Sequence, residues 1–345
     1  MSGPGPIGVL GGTGMIGGAV ASLLGERGFE TLVAARRSGP KITDLFDVQD
    51  EQAVRSFVSR CNVVVDCTGV GVPARLALAR RVAAAGAHFV TPAVVEGSSP
   101  WPSACMVHSA GVMPGLSEAI AATLVSKAPP PVELNVHIGG CDYFSASAAR
   151  EYVDGAKDHG HRANSRWCRG GRVRDVRPRE GVRDLAFFPG AVTVVPFLDP
   201  AAEDLAAVHG LHTLLWNHVI DGELTRGAMR GALSGESRCV EELVRAAEAD
   251  VRTTGRYYVL RYEMTSAAGT STLAVRTSDS YGLSAEVAVL SVEAVLDGMV
   301  RPGLHSAASV LEREGGDLLG RLRSSPLVTS VEEFSGPATL EEGQL

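Results

Sequence analysis

The chain has 345 residues, 45% hydrophobic and 21% charged, a composition typical of a globular protein with room for two domains. Its formal net charge of −7 gives no reason to expect nucleic acid as a partner. No apolar run approaches the ~20 residues that a membrane-spanning helix needs, and the N-terminus lacks the basic segment and apolar core of a signal peptide, so we expect a cytoplasmic protein without a membrane partner.

The first residues predict a strand, a glycine-rich turn and a helix. Residues 7–10 are apolar, glycines follow at G-x-x-G-x-x-G spacing, and a helix of small residues continues from Met15. Such glycines allow a sharp turn, close approach of a diphosphate and close packing of helix on sheet, while the helix N-terminus offers free N–H groups. We therefore predict a dinucleotide site whose diphosphate is bound by Gly11, Thr13, Gly14, Met15, Ile16 and Gly17.

The end of the second predicted strand, residues 31–35, indicates which dinucleotide is bound. An NAD site normally has Asp or Glu there for the ribose hydroxyls, whereas this chain has Arg36, Arg37 and Ser38. Two guanidiniums and a hydroxyl suit a 2′-phosphate, so the pattern favours NADP(H) over a merely solvated arginine pair.

Alternating strands and helices continue to about residue 128 and predict a doubly wound parallel sheet. A third strand in 41–48 that ends at Asp47 and Val48 would bring these two residues near the adenine, and Asp50 and Ser117 would cap the helices that follow them. The apolar strand 63–66 ends in Cys67, Thr68 and Gly69, which should lie toward the nicotinamide ribose. For Cys67 itself, a small buried thiol is the favoured interpretation over a redox role.

Beyond Pro129–Pro131 the pattern changes to that of an α+β domain. We predict a strand at 132–138, a helix at 145–157, a strand at 187–197, helices at 201–220 and 236–252, a hairpin of 257–265 with 271–277, and a helix at 283–296. The segment 162–183 carries eight arginines; it could attract a carboxylate-bearing substrate or cofactor phosphates, but an irregular solvated loop is favoured. The predicted domains are 1–128, 129–280 and a returning segment, 281–345.

The order of motifs resembles the saccharopine dehydrogenase-like reductases. The resemblance rests on GGTGMIG, AARR, DVQDEQAVRSFVSRCNVVVDCTG, ARRVAAAGAHFVTPA, AGVMPGLSEAIAATL and DSYGLSAEVAVLSVEAVLDG, which together cover about half of the chain. It implies a Rossmann domain with an inserted, mostly antiparallel α+β domain, and a C-terminal helix that returns to the Rossmann part. It also implies NAD(P)-dependent redox chemistry, typically at a carbon–nitrogen bond, and a homodimer formed through the second domain.

Proton donors are harder to predict than the cofactor site. Asp142 and Tyr143 close a strand where the second domain should face the nicotinamide, although a helix cap and a core aromatic would explain them equally well. Lys157 and Tyr281 are further candidates. The histidines on predicted strands, His88, His108 and His137, are interpreted as structural. His159 and His161 lack metal-type partners, so no metal site is predicted.

Three functions compete. The turn also fits the short-chain dehydrogenases, but these need a Tyr four residues before a Lys, and none of the three lysines has one; Tyr152 and Lys157 are five apart. A non-catalytic NADP-binding sensor would bind cofactor without a proton donor. We favour an NADPH-dependent reductase of an imine in a small-molecule substrate, with reduction of C=C or C=O as the alternative.

Overall fold

The computed structural model describes residues 5–95, 101–158, 162–234, 239–313 and 317–336. The chain divides into two compact units. The first contains residues 1–119 and 281–318, and the second contains residues 120–280 and 319–345.

The first unit is built on a seven-stranded sheet in which every neighbouring pair of strands is parallel. The strands are β1 (Ile7–Leu10), β2 (Thr31–Ala35), β3 (Asp44–Leu45), β4 (Val63–Asp66), β5 (His88–Val90), β6 (Cys105–His108) and β15 (Gly303–Ser306). Their order, β15-β6-β5-β4-β1-β2-β3, is the Rossmann order with one strand added, which confirms the predicted fold class.

The helices beside these strands are α1 (Met15–Glu26), α2 (Glu51–Val58), α3 (Val72–Ala84), α4 (Leu116–Val125), α9 (Ser280–Leu296) and α10 (Ala307–Arg313). Of these, α1, α2 and α3 connect successive strands of this sheet, as the alternating pattern predicted, and the other three flank its later strands. The predicted cap of α2 is confirmed, because Asp50 Oδ1 accepts hydrogen bonds from the amides of Gln52 and Ala53, both at 3.0 Å. Phe57 and Leu78, from α2 and α3, pack with Leu10 of β1 in one buried cluster that covers the sheet.

Two local predictions in this unit were wrong. The third strand is only the pair Asp44–Leu45 rather than most of 41–48. Ser117 does not precede α4 but lies inside it, and Glu118 instead accepts a hydrogen bond from the amide of Gly115 at 2.5 Å. Gly115 has a φ of 131°, and a Cβ there would lie 2.1 Å from the carbonyl oxygen of Ser109, so the chain turns into the helix at this glycine.

The second unit contains a nine-stranded mixed sheet. Its strands are β7 (Glu133–Cys141), β8 (Arg166–Cys168), β9 (Gly171–Val173), β10 (Arg179–Val182), β11 (Val192–Pro196), β12 (Thr213–Ile220), β13 (Tyr257–Ser266), β14 (Gly269–Thr277) and β16 (Ser330–Ser335). The main order is β10-β11-β12-β7-β13-β14-β16, and β8 pairs with β12 and β9. Only β12 and β7 run parallel among the pairs of this sheet in the described residues, so the predicted second domain with a mostly antiparallel sheet is confirmed.

In the described part of the chain, four helices lie wholly within this unit, and α11 (Leu318–Ser324), which precedes β16, belongs to it from residue 319 onward. The four are α5 (Ala146–Asp158), α6 (Pro200–Val208), α7 (Glu223–Ser234) and α8 (Cys239–Thr254). The predicted helix 201–220 is wrong beyond α6, because its second half is the strand β12. The Arg-rich segment is also not wholly irregular, since it contains β8, β9 and β10. The predicted hairpin is confirmed, with β13 and β14 paired from Tyr258–Thr277 to Ser266–Gly269.

The domain limits differ from the predicted ones at two places. The first boundary falls after Ala119, within α4, rather than at 128. The returning segment ends at Leu318, because β16 pairs with β14 and thereby belongs to the second unit. The backbone bond from Thr329 N to Arg276 O, at 2.7 Å, extends the same pairing.

Candidate dinucleotide-binding site

The glycine-rich turn joins β1 to α1 with the backbone geometry that a dinucleotide site requires. Gly11 has a φ of 84°, in the region that favours glycine, and its carbonyl accepts a hydrogen bond from the amide of Gly14 at 2.9 Å. A Cβ on Gly17 would lie 2.3 Å from the carbonyl oxygen of Gly11, so α1 can pack against the turn only with glycine at this position.

The start of α1 offers hydrogen-bond donors. Gly14 is its N-cap and provides no side-chain cap, and within the described residues the amides of Met15, Ile16 and Gly17 have no acceptor. Thr13, Gly14 and Met15 are exposed. Three unsatisfied amides at an exposed helix N-terminus are suited to bind a diphosphate, and the diphosphate site itself stays a prediction.

The residues after β2 are open to solvent. Arg36, Arg37 and Ser38 are all exposed, with 78% of the Arg36 side chain accessible. The nearest carboxylate in the described residues is Asp47, whose Oδ2 lies 3.9 Å from Arg36 Nη1. Asp44 pairs instead with Arg60 at 2.5 Å. The end of β2 therefore carries two accessible guanidiniums and no acidic side chain of its own.

The end of β4 holds a buried network that the sequence analysis missed. Arg75 of α3 contacts Asp66 with 3.1 Å between Nε and Oδ2, and Thr68 donates to the same carboxylate from its amide and its hydroxyl. Burial raises the pKa of Asp66, and the guanidinium and the bonds from Thr68 oppose that shift. A signal existed in the sequence, since an aspartate closes an apolar strand and an arginine shares a helix face with Leu78, Ala79 and Val82.

The surroundings of Cys67 and Val48 indicate that both residues have structural roles. Desolvation and the neighbouring Asp66 carboxylate raise the pKa of the Cys67 thiol, which fits the interpretation of Cys67 as an inert thiol. Val48 is half-buried and packs against the core cluster beside the sheet. Asp47 turns the chain locally, because its Oδ1 accepts from the amide of Gln49 at 3.0 Å.

Two of the predicted proton donors, Asp142 and Tyr143, contact the same guanidinium. The carboxylate of Asp142 accepts from Arg256 Nε at 2.5 Å and from Ser280 Oγ at 2.6 Å, and the guanidinium of Arg256 lies 5.2 Å from the centroid of the Tyr143 ring. Tyr281 lies in the first turn of α9, half-buried. Lys157 falls in α5, and its side chain lies outside the described part of the chain.

Of the strand histidines, His137 is buried, whereas His88 and His108 are half-buried. His88 Nδ1 accepts from the amide of Cys105 at 3.0 Å, and burial lowers the pKa of His108 to about 4 and that of His137 to about 3. His159 and His161 lie outside the described residues. Across the parts of the chain that are described, no group of three or more His, Cys, Asp or Glu could hold a metal ion. Nor is any helix there long and apolar enough to cross a bilayer.

Comparisons with known proteins find similarity in the first unit and, at low identity, along the chain. The model of the NAD dependent epimerase/dehydratase family matches residues 7–90, about a quarter of the chain. A short-chain dehydrogenase/reductase superfamily protein from Agrobacterium tumefaciens with bound NAD is 21% identical over 25% of this chain and 31% of that protein, with a TM-score of 0.24. The matched part thus spans about a third of that structure's length.

Two solved structures match over most of the chain. The DAP dehydrogenase of C. glutamicum in complex with DAP is 11% identical, covers 94% of this chain and 100% of that one, and has a TM-score of 0.47. An engineered D-amino acid dehydrogenase bound to NADP+ is 10% identical, covers 89% and 96%, and has a TM-score of 0.45. No curated protein matches the chain.

The observed architecture is that of an α/β protein with a Rossmann-type parallel sheet and a second, mixed-sheet unit. The matches do not single out the saccharopine dehydrogenase-like reductases, so that resemblance stays a prediction.

Proposed function

We propose that the protein is an NADP(H)-dependent oxidoreductase that reduces a small molecule. The observation that carries the proposal is the pairing of the glycine turn with two exposed arginines at the end of β2. Bound there, the cofactor would supply a hydride, and the chain's own residues would bind and orient it.

Different residues along this edge of the sheet would bind different parts of the cofactor. The amides of Met15, Ile16 and Gly17 would bind the diphosphate, and Arg36 and Arg37 would bind the 2′-phosphate through charge-assisted hydrogen bonds. A neutral ribose hydroxyl offers these guanidiniums no charge to pair with, so the site should prefer NADPH to NADH.

The bond that is reduced is a finer proposal, supported by the sequence resemblance. Reduction of an imine needs one proton donor beside the hydride acceptor, and Asp142, Tyr143, Lys157 and Tyr281 remain the candidates. A C=C or C=O reductase and a non-catalytic NADP-binding sensor are the alternatives. A cytoplasmic homodimer likewise remains a proposal.

Calorimetric titration with NADPH and NADH tests the cofactor assignment. We expect NADPH to bind at least about tenfold more tightly, because a hydrogen bond to a charged group contributes roughly 1.5–3 kcal/mol. The double variant Arg36→Ala, Arg37→Ala should lose that preference and bind NADH as before. Arg55→Ala with Arg80→Ala removes two exposed arginines from α2 and α3 and serves as the matched control. Failure of wild type to bind either nucleotide would refute the proposal.

Substrate class is tested by following NADPH oxidation with 1-pyrroline, cyclohexenone and cyclohexanone as probes of C=N, C=C and C=O reduction. Turnover of the imine alone supports imine reduction, and turnover of only the enone or the ketone supports the alternative. Tight NADPH binding with no turnover across a wider panel of each class would favour the sensor.

A further inference from the structure

The end of β4 contains the buried ion pair of Asp66 and Arg75. The two residues are 1% and 3% exposed, and Arg75 reaches the strand from the first turn of α3, nine positions later in the chain. An arginine is rarely buried to this extent, so its contacts show what it holds in place.

Arg75 holds the loop of residues 67–69 as well as the strand end. Its Nη2 donates to the carbonyl oxygen of Thr68 at 3.2 Å, while its Nε contacts Asp66. The amide and hydroxyl of Thr68 both donate to Asp66 Oδ1, at 3.0 and 2.5 Å. Every polar atom of Thr68 is therefore engaged by the ion pair, and the loop takes its position from these contacts.

The same loop lies directly against the glycine turn. A Cβ on Gly11 would lie 2.7 Å from the carbonyl oxygen of Cys67 and 3.1 Å from the amide nitrogen of Thr68. The amide of Cys67 also donates to the carbonyl of Leu10 at 2.9 Å. The loop after β4 therefore packs directly against the turn after β1.

Strand order decides which half of a dinucleotide would meet this loop. β1 lies between β2 and β4, and the exposed arginines follow β2. With the diphosphate at the turn after β1 and the 2′-phosphate at Arg36 and Arg37, the nicotinamide half must extend toward the end of β4, about one strand spacing away.

We propose that Arg75 is a positioning residue for cofactor binding, and that through Asp66 and Thr68 it fixes the loop 67–69 where the loop binds the nicotinamide half of the dinucleotide. The inference rests on the proposed function. Arg75 does not touch the cofactor; it acts through the loop. Its loss should therefore weaken binding of the whole dinucleotide but leave the adenosine half unaffected.

Calorimetry with NADPH and with adenosine 2′,5′-bisphosphate, which lacks the nicotinamide half, separates these contributions. In Arg75→Lys the charge beside Asp66 is kept, but a single ammonium cannot reproduce the guanidinium's simultaneous bonds to Asp66 and Thr68. We expect NADPH to bind about tenfold more weakly and the bisphosphate to bind as in wild type. Arg81→Lys is the control, since Arg81 lies on the same helix and forms an exposed ion pair with Glu51.

An equal loss for both ligands in Arg75→Lys, or no loss for either, would overturn the positioning role. If wild type binds neither ligand, the proposed function fails instead, so the two failures are distinguishable. Hydrogen exchange on the wild type removes any dependence on the variant's folding. NADPH, but not the bisphosphate, should slow amide exchange in a peptide covering residues 66–70, and equal protection by both would contradict the inference.

Discussion

Two adjacent glycines of α1 differ in the space that a side chain would have at each position. A Cβ on Gly17 would lie 2.3 Å from the carbonyl oxygen of Gly11, whereas a Cβ on Gly18 would find its nearest neighbour at 3.4 Å, the carbonyl oxygen of Gly12. The first is a backbone clash and the second an ordinary contact. Only Gly17 is therefore required by packing, although both lie in the same helix.

Gly17→Ala should accordingly weaken both NADPH binding and folding. Inserting a methyl group against backbone costs about 1–3 kcal/mol, and the turn must shift to make room. Gly18→Ala is the matched control and should raise stability by up to about 1 kcal/mol, because alanine favours a helix. Thermal unfolding and NADPH titration of both variants measure the difference. Equal behaviour of the two variants would contradict the packing described for the turn.

For single residues, features that depend on neighbouring positions in the chain were predictable from the sequence. Contacts that form only when distant elements pack together were missed. The glycine turn and the cap by Asp50 are local, so their spacing was informative. The pairing of Arg75 with Asp66 exists only because α3 folds back over the end of β4, and composition favoured an exposed arginine.

At the scale of elements, one ion-pair network ties together the ends of β7, β13 and β14. Asp142 follows β7, Arg256 precedes β13, and Asp279 follows β14; Arg256 Nη2 lies 2.7 Å from Asp279 Oδ1. The backbone amide and the hydroxyl of Ser280, at the start of α9, both donate to Asp142. These bonds favour a structural role for Asp142.

Asp142→Asn should therefore lower the free energy of unfolding, by about 1–3 kcal/mol, because a charged acceptor is lost at a mostly buried position. Asp175→Asn is the matched control. Asp175 forms a two-bond pair with Arg166 at 2.7 and 2.8 Å, but it is more exposed, so Asp175→Asn should lower the free energy of unfolding much less than Asp142→Asn. Urea unfolding measures both. Wild-type stability with lost turnover in Asp142→Asn would instead assign Asp142 to the chemistry, as the sequence analysis predicted.

Elements with strong periodicity were predictable, and elements whose partners lie far along the chain were less so. The hairpin of β13 and β14 has only Ala267 and Ala268 between its strands, so its signal is local. β12 was predicted as helix because apolar residues continue past α6, although Gly210, with a φ of 63°, ends that helix. What makes 213–220 a strand is the parallel pairing with β7, about 80 residues earlier.

The strands of the Arg-rich segment, residues 162–183, were likewise not predicted from the sequence. Arginine, glycine and proline favoured a loop, whereas β8 and β9 form a short hairpin and β8 pairs with β12 of the mixed sheet. The favoured solvated interpretation of its arginines has support, because Arg166 pairs with Asp175 and Arg172 with Glu203.

Across the whole molecule, the parallel Rossmann-type sheet was predictable from alternating strands and helices, but its added strand β15 and the limits of the two units were not. β16 joins the second sheet beside β14 after the chain has passed through α9, β15 and α10 of the first unit. A strand of six residues near the end carries little signal for so distant a partner.

Buried neutral histidines in both units should make the molecule sensitive to mild acid. Burial lowers the pKa of His108 to about 4 in the first unit, and in the second lowers the pKa of His137 to about 3 and that of His218 to about 4. An unfolded histidine has a pKa near ~6.5. Below that pH the unfolded chain therefore binds protons that the folded chain cannot, and the free energy of unfolding must fall.

Once the unfolded imidazole is mostly protonated, each such histidine lowers the free energy of unfolding by up to about 1.4 kcal/mol for each unit that the pH falls. Three histidines together therefore lower it by about 4 kcal/mol per pH unit. Urea unfolding at intervals from pH 7.5 to 5 should show a flat region above neutrality and a steep decline below it. His108→Gln should remove about one histidine's share of that decline and change nothing above pH 7.5; an unaltered slope would show that His108 is not buried neutral in the folded protein.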